Sequence, residues 1–222
     1  AFHALLGNHE LMNTRLDLRY VTDGGYADFI DVVEYDPSDS VQVWDRSSAS
    51  FRSSTLAEFE PHQRARVAAF MPGGPYANLL AERQVILQVG ENVFVHGGVL
   101  PEHVAYGIDE INSSAQAWLR GESDLPPVLS GSDSPQWTRL YSDDPDSSAC
   151  SVLEDALNAL EAKRIVMGHT IQESGIASAC GGQAWRVDIA MAEYYASRND
   201  YGGSVEVLEI VGDSVWVLKD RD

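Results

Sequence analysis

Hydrophobic and polar positions alternate along the chain in a pattern that predicts short strands separated by helices. Runs rich in apolar and β-branched residues predict the strands, and the two runs flanking Gly90 are close enough to form a hairpin. The two-residue link Gly212-Asp213 predicts another hairpin near the end of the sequence. The predicted strands are residues 2–6, 84–89, 92–98, 164–170, 184–191, 204–211 and 214–220.

Apolar residues at helical spacing predict helices between these strands. Leu56, Phe59 and Phe70 share such spacing, although Pro61 is expected to divide that helix. Residues 25–50 mix aromatic residues with Asp, Ser and Pro, and we expect irregular structure there, with one short helix at most. The predicted helices are residues 55–71, a short helix within 72–83, 107–121 and 148–163.

The length of 222 residues suits one large α/β domain or two small ones. No internal repeat, low-complexity tract or linker interrupts the pattern. We therefore predict an α/β fold in a single domain over residues 1–222.

Composition narrows the classes of partner. The formal net charge of -19 leaves little basic surface to neutralise phosphates, so no nucleic-acid partner is expected. No run of 18 apolar residues is present, so no membrane partner is expected and we predict a soluble chain, cytoplasmic or periplasmic. An acidic field also repels phosphate substrates unless a local cation reverses it, which makes a bound metal attractive. Oligomeric state stays open.

Two cysteines, Cys150 and Cys180, lack the C-x-x-C spacing of a zinc cluster. Either one disulfide or two free buried thiols would suit this sequence. The redox state, and with it the compartment, therefore stays open.

Three predicted strands end in polar, ligand-capable side chains. Asn8-His9 follows the first, His96 the run 92–95, and Gly168-His169 the run 164–167. Ligands gather beyond strand ends, on loops held by a rigid scaffold, and neighbouring glycines let the backbone approach closely. One amide oxygen and two imidazoles suit manganese, iron or zinc better than calcium or magnesium.

These motifs, in their order, resemble a known family. The succession "GNHE", "FVHGG", "WTRLYS", "MGHT" and "WRVD" is similar to the calcineurin-like metallophosphoesterase superfamily, within it the PPP-type protein phosphatases, and most of all the Shewanella-like phosphatases. The resemblance runs over nearly the whole chain. It implies a β-sandwich flanked by helices, N-terminally incomplete, with the site at the C-terminal ends of strands.

The resemblance also implies residue roles. Asn8, His96 and His169 would bind one metal ion, the second of two in the intact enzyme. Nearby residues would act without binding it: His9 as the general acid that protonates the leaving oxygen and Glu10 as a support for its loop. The remaining two assignments are Arg139, which would clamp the substrate phosphate, and Asp188, which would lie near the site.

The implied function is metal-dependent hydrolysis of phosphoproteins, with phosphotyrosine as the substrate that similar members favour. Two metals would activate a hydroxide as the nucleophile. Histidine has a pKa that suits protonation of the leaving group near neutral pH, and the planar guanidinium of arginine matches two phosphoryl oxygens. Two alternatives stay open: a dinucleoside polyphosphate hydrolase of the same superfamily, and a non-catalytic module that binds metal or phosphoproteins.

The family has two further signatures before "GNHE", an Asp-x-His-Gly turn and a Gly-Asp-x-x-Asp-Arg-Gly turn, and only seven residues precede Asn8 here. Asp45-Arg46 lacks the flanking glycines of the second signature. We expect roughly 60–100 further residues upstream in the native protein, the length of two βα-type units. At most one metal ion should be well held by these 222 residues.

Overall fold

The computed structural model describes residues 1–192 and 205–219 of the chain. They divide into two compact units. The first contains residues 1–84 and 112–126, and the second contains residues 85–111 together with the chain from 127 onward. The single domain predicted from the sequence stays a prediction.

Helices and strands alternate through the described residues, which confirms the predicted α/β class. The helices are α1 (Asn8–Thr14), α2 (Asp23–Ala27), α3 (Arg64–Phe70), α4 (Pro75–Leu80), α5 (Pro101–Tyr106), α6 (Ile108–Leu119) and α7 (Ser147–Ala159). The strands are β1 (Ser40–Asp45), β2 (Ser50–Thr55), β3 (Ile86–Val89), β4 (Asn92–Val95), β5 (Arg164–Met167), β6 (Ala177–Ala179), β7 (Ala184–Arg186), β8 (Glu206–Val211) and β9 (Ser214–Lys219). None of the described helices is long and apolar enough to cross a lipid bilayer.

In the first unit, helices pack on an antiparallel hairpin formed by β1 and β2. Val41 and Val43 point to the same face of β1 and are buried, because side chains on a strand alternate between faces. They join a core cluster with Leu56 and Val67, the latter on α3. The expectation of irregular structure over residues 25–50 was therefore wrong for β1.

Two other expectations for the first unit have different outcomes. The division of the helix at Pro61 is confirmed, with a 3₁₀ turn at Leu56–Glu58 before it and α3 after it. The strand predicted over residues 2–6 is wrong. Only Leu5 forms a bridge, to Gln84, and the Leu6 N–H donates to the Gln84 carbonyl at 2.9 Å. A strand needs a longer ladder than this one contact among the described residues provides.

The second unit is built on a five-stranded mixed sheet in the order β3-β4-β5-β7-β6. The predicted hairpin of β3 and β4 is confirmed, and β4, β5 and β7 run parallel to one another. All four residues of β5 are buried, as expected for a central strand whose sequence, Arg-Ile-Val-Met, is mostly apolar. The predicted strand over residues 184–191 is shorter than expected, since pairing ends at Arg186.

Helices α5 and α7 and the β8-β9 hairpin also belong to the second unit. The Asp146 side chain caps α7 by accepting the Ala149 N–H at 2.9 Å, and Leu153 and Leu157 are buried on one face. The predicted turn at residues 212–213 joins β8 to β9. Ser204 and Asp220, the outer ends of the two strands predicted there, lie outside the described residues.

A disulfide joins Cys150 on α7 to Cys180 beyond β6, so the alternative of two free thiols does not hold. The bridge closes a loop with a sequence separation of 30 residues and ties α7 to the edge of the five-stranded sheet.

Candidate active site

Three predicted site residues follow the C-terminal ends of three adjacent parallel strands. Val95 of β4 pairs with Met167 of β5, and Met167 pairs with Arg186 of β7. The residues that come next along the chain therefore leave the sheet side by side. These residues include His96, Gly168-His169 and Asp188.

The two imidazoles face each other. The His96 Nε2 atom lies 3.1 Å from the His169 Nδ1 atom. The His169 Nε2 atom lies 3.1 Å from the Trp137 carbonyl oxygen. A carbonyl can only accept, so this hydrogen bond requires the proton of His169 on Nε2. In the neutral ring, Nδ1 then carries a lone pair directed at His96.

The backbone around the two histidines is tightly constrained. His169 has a φ of 66°, in the left-handed region that non-glycine residues rarely adopt, and such conformations are held by the surrounding structure. Gly97 has no room for a side chain, because a Cβ there would lie 2.8 Å from the Pro135 carbonyl oxygen and 2.9 Å from that of Thr138. The Gly97 N–H donates to the same Pro135 carbonyl. The segment that carries Trp137 is thus fixed against the turn after β4.

Arg139 is bound directly to the second histidine's backbone. Its Nη1 atom donates to the His169 carbonyl at 2.6 Å and to the Thr170 hydroxyl at 2.7 Å. The Thr170 hydroxyl also lies 2.7 Å from that of Ser142. Arg139 is an exposed residue, and these contacts leave further N–H groups of its guanidinium for a ligand.

Asp188 and His96 both lie close to Gly168, and Asp188 is also tied to the backbone. A Cβ added to Gly168 would lie 3.8 Å from the Asp188 Cβ and 3.9 Å from the His96 Nδ1 atom. One carboxylate oxygen accepts the Ala190 N–H at 3.2 Å, and the Asp188 carbonyl accepts the Gln172 N–H at 2.7 Å. The role that the resemblance implies for Asp188 near the site stays a prediction.

The other predicted residues lie on α1, in the first unit. Asn8 is buried and begins the helix, and His9 is exposed with its ring stacked on Tyr20 at 5.2 Å and 15° between planes. The Glu10 carboxylate accepts the Gly7 N–H at 2.9 Å, which holds the turn into the helix. Because Asn8 belongs to the first unit and the histidine pair to the second, their shared metal ligation stays a prediction.

The donor atoms of the second unit fit a transition metal. Two nitrogens 3.1 Å apart can both reach one ion at about 2.1 Å. The His169–Trp137 hydrogen bond matches the pattern in which a metal-bound histidine donates its other N–H to a carbonyl. Within residues 1–192 and 205–219, no three His, Cys, Asp or Glu side chains form such a group. A third protein ligand would therefore be of another type, as Asn8 is.

Sequence reasoning missed the residues that orient the predicted ones. Trp137 holds the ring of His169, Thr170 and Ser142 hold Arg139, and Tyr20 stacks on His9. Three of them had a signal, because Trp137 and Ser142 stand with Arg139 in the motif "WTRLYS" and Thr170 ends the motif "MGHT". Tyr20 had none, since its residue type alone does not distinguish it from an ordinary aromatic residue, and the motifs did not show which atoms of the other three would make the contacts.

Comparison with known proteins identifies similar chains. The protein is 35% identical to Shewanella-like protein phosphatase 2 of Arabidopsis thaliana over 94% of this chain and 56% of that protein. It is 28% identical to an uncharacterized protein of Acanthamoeba polyphaga mimivirus, over 97% of this chain and 90% of that one. The predicted resemblance to Shewanella-like protein phosphatases is therefore confirmed. No family model matches the chain.

Among solved structures, the chain resembles a cold-active protein-tyrosine phosphatase of a psychrophilic Shewanella species. The TM-score is 0.56 at 20% identity, over 92% of this chain and 52% of that one. The similarity confirms the predicted kind of fold. The chain spans about half the length of this phosphatase and of the Arabidopsis relative.

Proposed function

We propose that this chain acts in metal-dependent hydrolysis of phosphoproteins, with phosphotyrosine as its substrate. The observation that carries the proposal is the juxtaposition of a facing histidine pair with an arginine bound to the backbone of the second histidine. This arrangement combines two metal donors with a guanidinium that can bind phosphate, all at the C-terminal ends of the central strands. The phosphatase names of the Arabidopsis and Shewanella proteins support the same class of reaction.

His96 Nε2 and His169 Nδ1 would hold the metal ion, with Asn8 as a third ligand. A divalent ion bound there would neutralise phosphoryl oxygens and lower the pKa of a bound water. Manganese, iron and zinc suit this donor set. The Trp137 carbonyl keeps the His169 proton on Nε2, so Nδ1 is available as a donor without loss of a proton.

Arg139 would bind the substrate phosphate. Its contacts with the His169 carbonyl and the Thr170 hydroxyl use one terminal nitrogen, which leaves further N–H groups for two phosphoryl oxygens in a fork. A fixed cation has particular value in a chain of net charge -19, since the overall field repels a phosphate dianion. Asp188, which follows β7, would lie near the site.

His9 would donate the proton to the leaving oxygen. Its ring is exposed to an approaching substrate, and stacking on Tyr20 restricts the plane of the imidazole. Glu10 would keep the turn before α1 in place through its hydrogen bond to the Gly7 N–H. General acid catalysis by a positioned histidine near neutral pH contributes typically about 10²–10⁴-fold.

Phosphate release tests the proposal. The purified chain, with manganese, is assayed on a phosphotyrosine peptide, a phosphoserine peptide and diadenosine tetraphosphate. We expect slow turnover that is greatest on the phosphotyrosine peptide and that falls to background in His96→Asn. His3→Gln, a change at an exposed histidine outside the site, is the matched control.

Three results would contradict the proposal. A preference for diadenosine tetraphosphate would favour a nucleotide hydrolase. Metal binding without turnover of any substrate would favour a binding module. Turnover that survives His96→Asn would mean that the histidine pair is not part of the site.

A further inference from the structure

The first unit contains a cavity of about 460 Å³ beside the predicted general acid. His9 and Tyr20 form part of its wall, Phe70 and Tyr76 add aromatic surface, and two guanidinium groups line it as well. These are Arg66 of α3 and Arg83, which lies after α4. Neither arginine has a place in the proposed function.

Arg66 is held rigidly within this cavity. Its Nε atom donates to the Asn13 side chain at 3.0 Å and its Nη1 atom to the Gly25 carbonyl at 2.8 Å. The guanidinium carbon lies 4.9 Å from the centre of the Phe29 ring and 4.8 Å from that of Phe70. Two hydrogen bonds leave other N–H groups of this five-donor side chain without an assigned acceptor.

Carboxylates balance these two cations only in part, since the charge of Asp28 acts on Arg66 from a distance and opposes the fall in its pKa. Within residues 1–192 and 205–219, neither Arg66 nor Arg83 forms an ion pair. The two carboxylates that line the cavity have other partners: Asp17 pairs with Arg19, and Glu10 accepts the Gly7 N–H. Burial lowers the pKa of the Arg66 guanidinium, because desolvation disfavours its charge, and a bound anion would offset this effect.

A cavity lined by two guanidinium groups without an ion pair among the described residues stands out in this protein, whose 34 acidic residues outnumber its 15 Lys and Arg residues. A half-buried guanidinium without an ion pair is costly to desolvate, and aromatic walls strengthen any charge pair by excluding water. Both arginines are half-buried, so the cavity is suited to an anionic group.

We propose that this cavity is a subsite for an acidic side chain of the substrate peptide, next to the phosphorylated residue, and that Arg66 and Arg83 bind its carboxylate. This inference rests on the proposed function, in which His9 contacts the leaving oxygen. Because His9 lines the same cavity, the peptide that carries the leaving oxygen lies at its entrance. Residues flanking the phosphotyrosine can then reach the two guanidinium groups.

Peptide binding tests the subsite without any requirement for turnover. Two labelled phosphotyrosine peptides, identical except for Glu or Gln on both sides of the phosphotyrosine, are titrated with the chain in a metal chelator, and fluorescence anisotropy gives each Kd. We expect about tenfold tighter binding of the Glu peptide, the effect of one charge-assisted contact. The net charge of -19 alone predicts the opposite preference, so non-specific electrostatics cannot imitate this result.

Arg83→Gln should bring the ratio of the two Kd values close to one. Arg52→Gln is the matched control, because it removes the same charge from an exposed side chain that pairs with Glu58 at 3.6 Å on the same unit. Far-UV circular dichroism verifies that both variants fold. Independently of any variant, added salt should reduce the preference of the unmodified chain for the Glu peptide, since salt screens the contact.

Equal Kd values for the two peptides, or no detectable binding of either, would overturn the subsite. A preference retained in Arg83→Gln would also overturn it. The proposed function fails separately, when no phosphate is released from either peptide in manganese. A chain that hydrolyses both peptides but binds them equally would keep the proposed function and lose the subsite.

Discussion

The Nε2 atom of His96 lies 3.1 Å from Nδ1 of His169, across the ends of two parallel strands. Since Trp137 accepts the other N–H of His169, the two facing nitrogens can share a proton or a metal ion, but they cannot both be protonated without repulsion. Metal binding and protonation of this pair should therefore compete.

A first prediction concerns metal affinity. His96→Asn should weaken manganese or zinc binding by at least about 100-fold, because the loss of an orienting group alone costs 10–100-fold and this change removes a donor. Isothermal titration calorimetry gives the affinity, and stoichiometry should be at most one ion per chain. His3→Gln should bind as the unmodified chain does. Unchanged affinity in His96→Asn would place the metal elsewhere.

A second prediction concerns the general acid. His9→Asn should lower turnover of phenyl phosphate by about 10²–10⁴-fold, since the leaving phenolate needs a proton. The loss should be much smaller for p-nitrophenyl phosphate, whose leaving group is stable without one, and metal content should not change. Equal losses on both substrates would mean that His9 has another role.

The position of the site at the ends of strands could be predicted from the sequence, because apolar runs that end in histidine indicate strand termini. Register then follows from parallel pairing, which brings His96 and His169 together. The contact of Trp137 with His169 could not be predicted. The two residues are 32 positions apart, and nothing in a tryptophan's residue type indicates that its backbone carbonyl will face an imidazole.

The β1 strand was missed although its sequence, Ser-Val-Gln-Val-Trp-Asp, alternates clearly. Its partner β2, Ser-Phe-Arg-Ser-Ser-Thr, is mostly polar and has little apolar signal, because only one face of the hairpin meets the core. The disulfide was left open for a different reason. Pairing of two cysteines 30 residues apart depends on their distance in the fold, and spacing alone does not determine it.

A third prediction concerns the orientation of Arg139. Thr170→Val keeps the side-chain volume but removes the hydroxyl that accepts the Arg139 Nη1 hydrogen bond. The KM for p-nitrophenyl phosphate should rise by about tenfold, the effect of one hydrogen bond to a charged group, while kcat changes less. Thr170→Ser retains the hydroxyl and should restore KM. If the Val and Ser variants have the same KM, Thr170 does not position the arginine.

The last prediction concerns the bridge between Cys150 and Cys180. This disulfide, which closes a loop with a sequence separation of 30 residues, should stabilise the folded chain by roughly 3–4 kcal/mol, because the cross-link restricts the unfolded ensemble. For a protein of this size, that corresponds to a decrease in Tm of about 10 °C on reduction. Thermal unfolding followed by circular dichroism, with and without dithiothreitol, measures the difference. The double variant Cys150→Ser, Cys180→Ser serves as the control and should melt at the lower temperature whether or not reductant is present.

The bridge also joins α7 to Cys180, directly after the edge strand β6 of the five-stranded sheet. Reduction should therefore loosen the packing of that helix, and the amide hydrogens of residues 147–159 should exchange faster. A Tm that does not respond to reductant, together with unchanged exchange in α7, would show that the two cysteines do not form a stabilising bridge in solution.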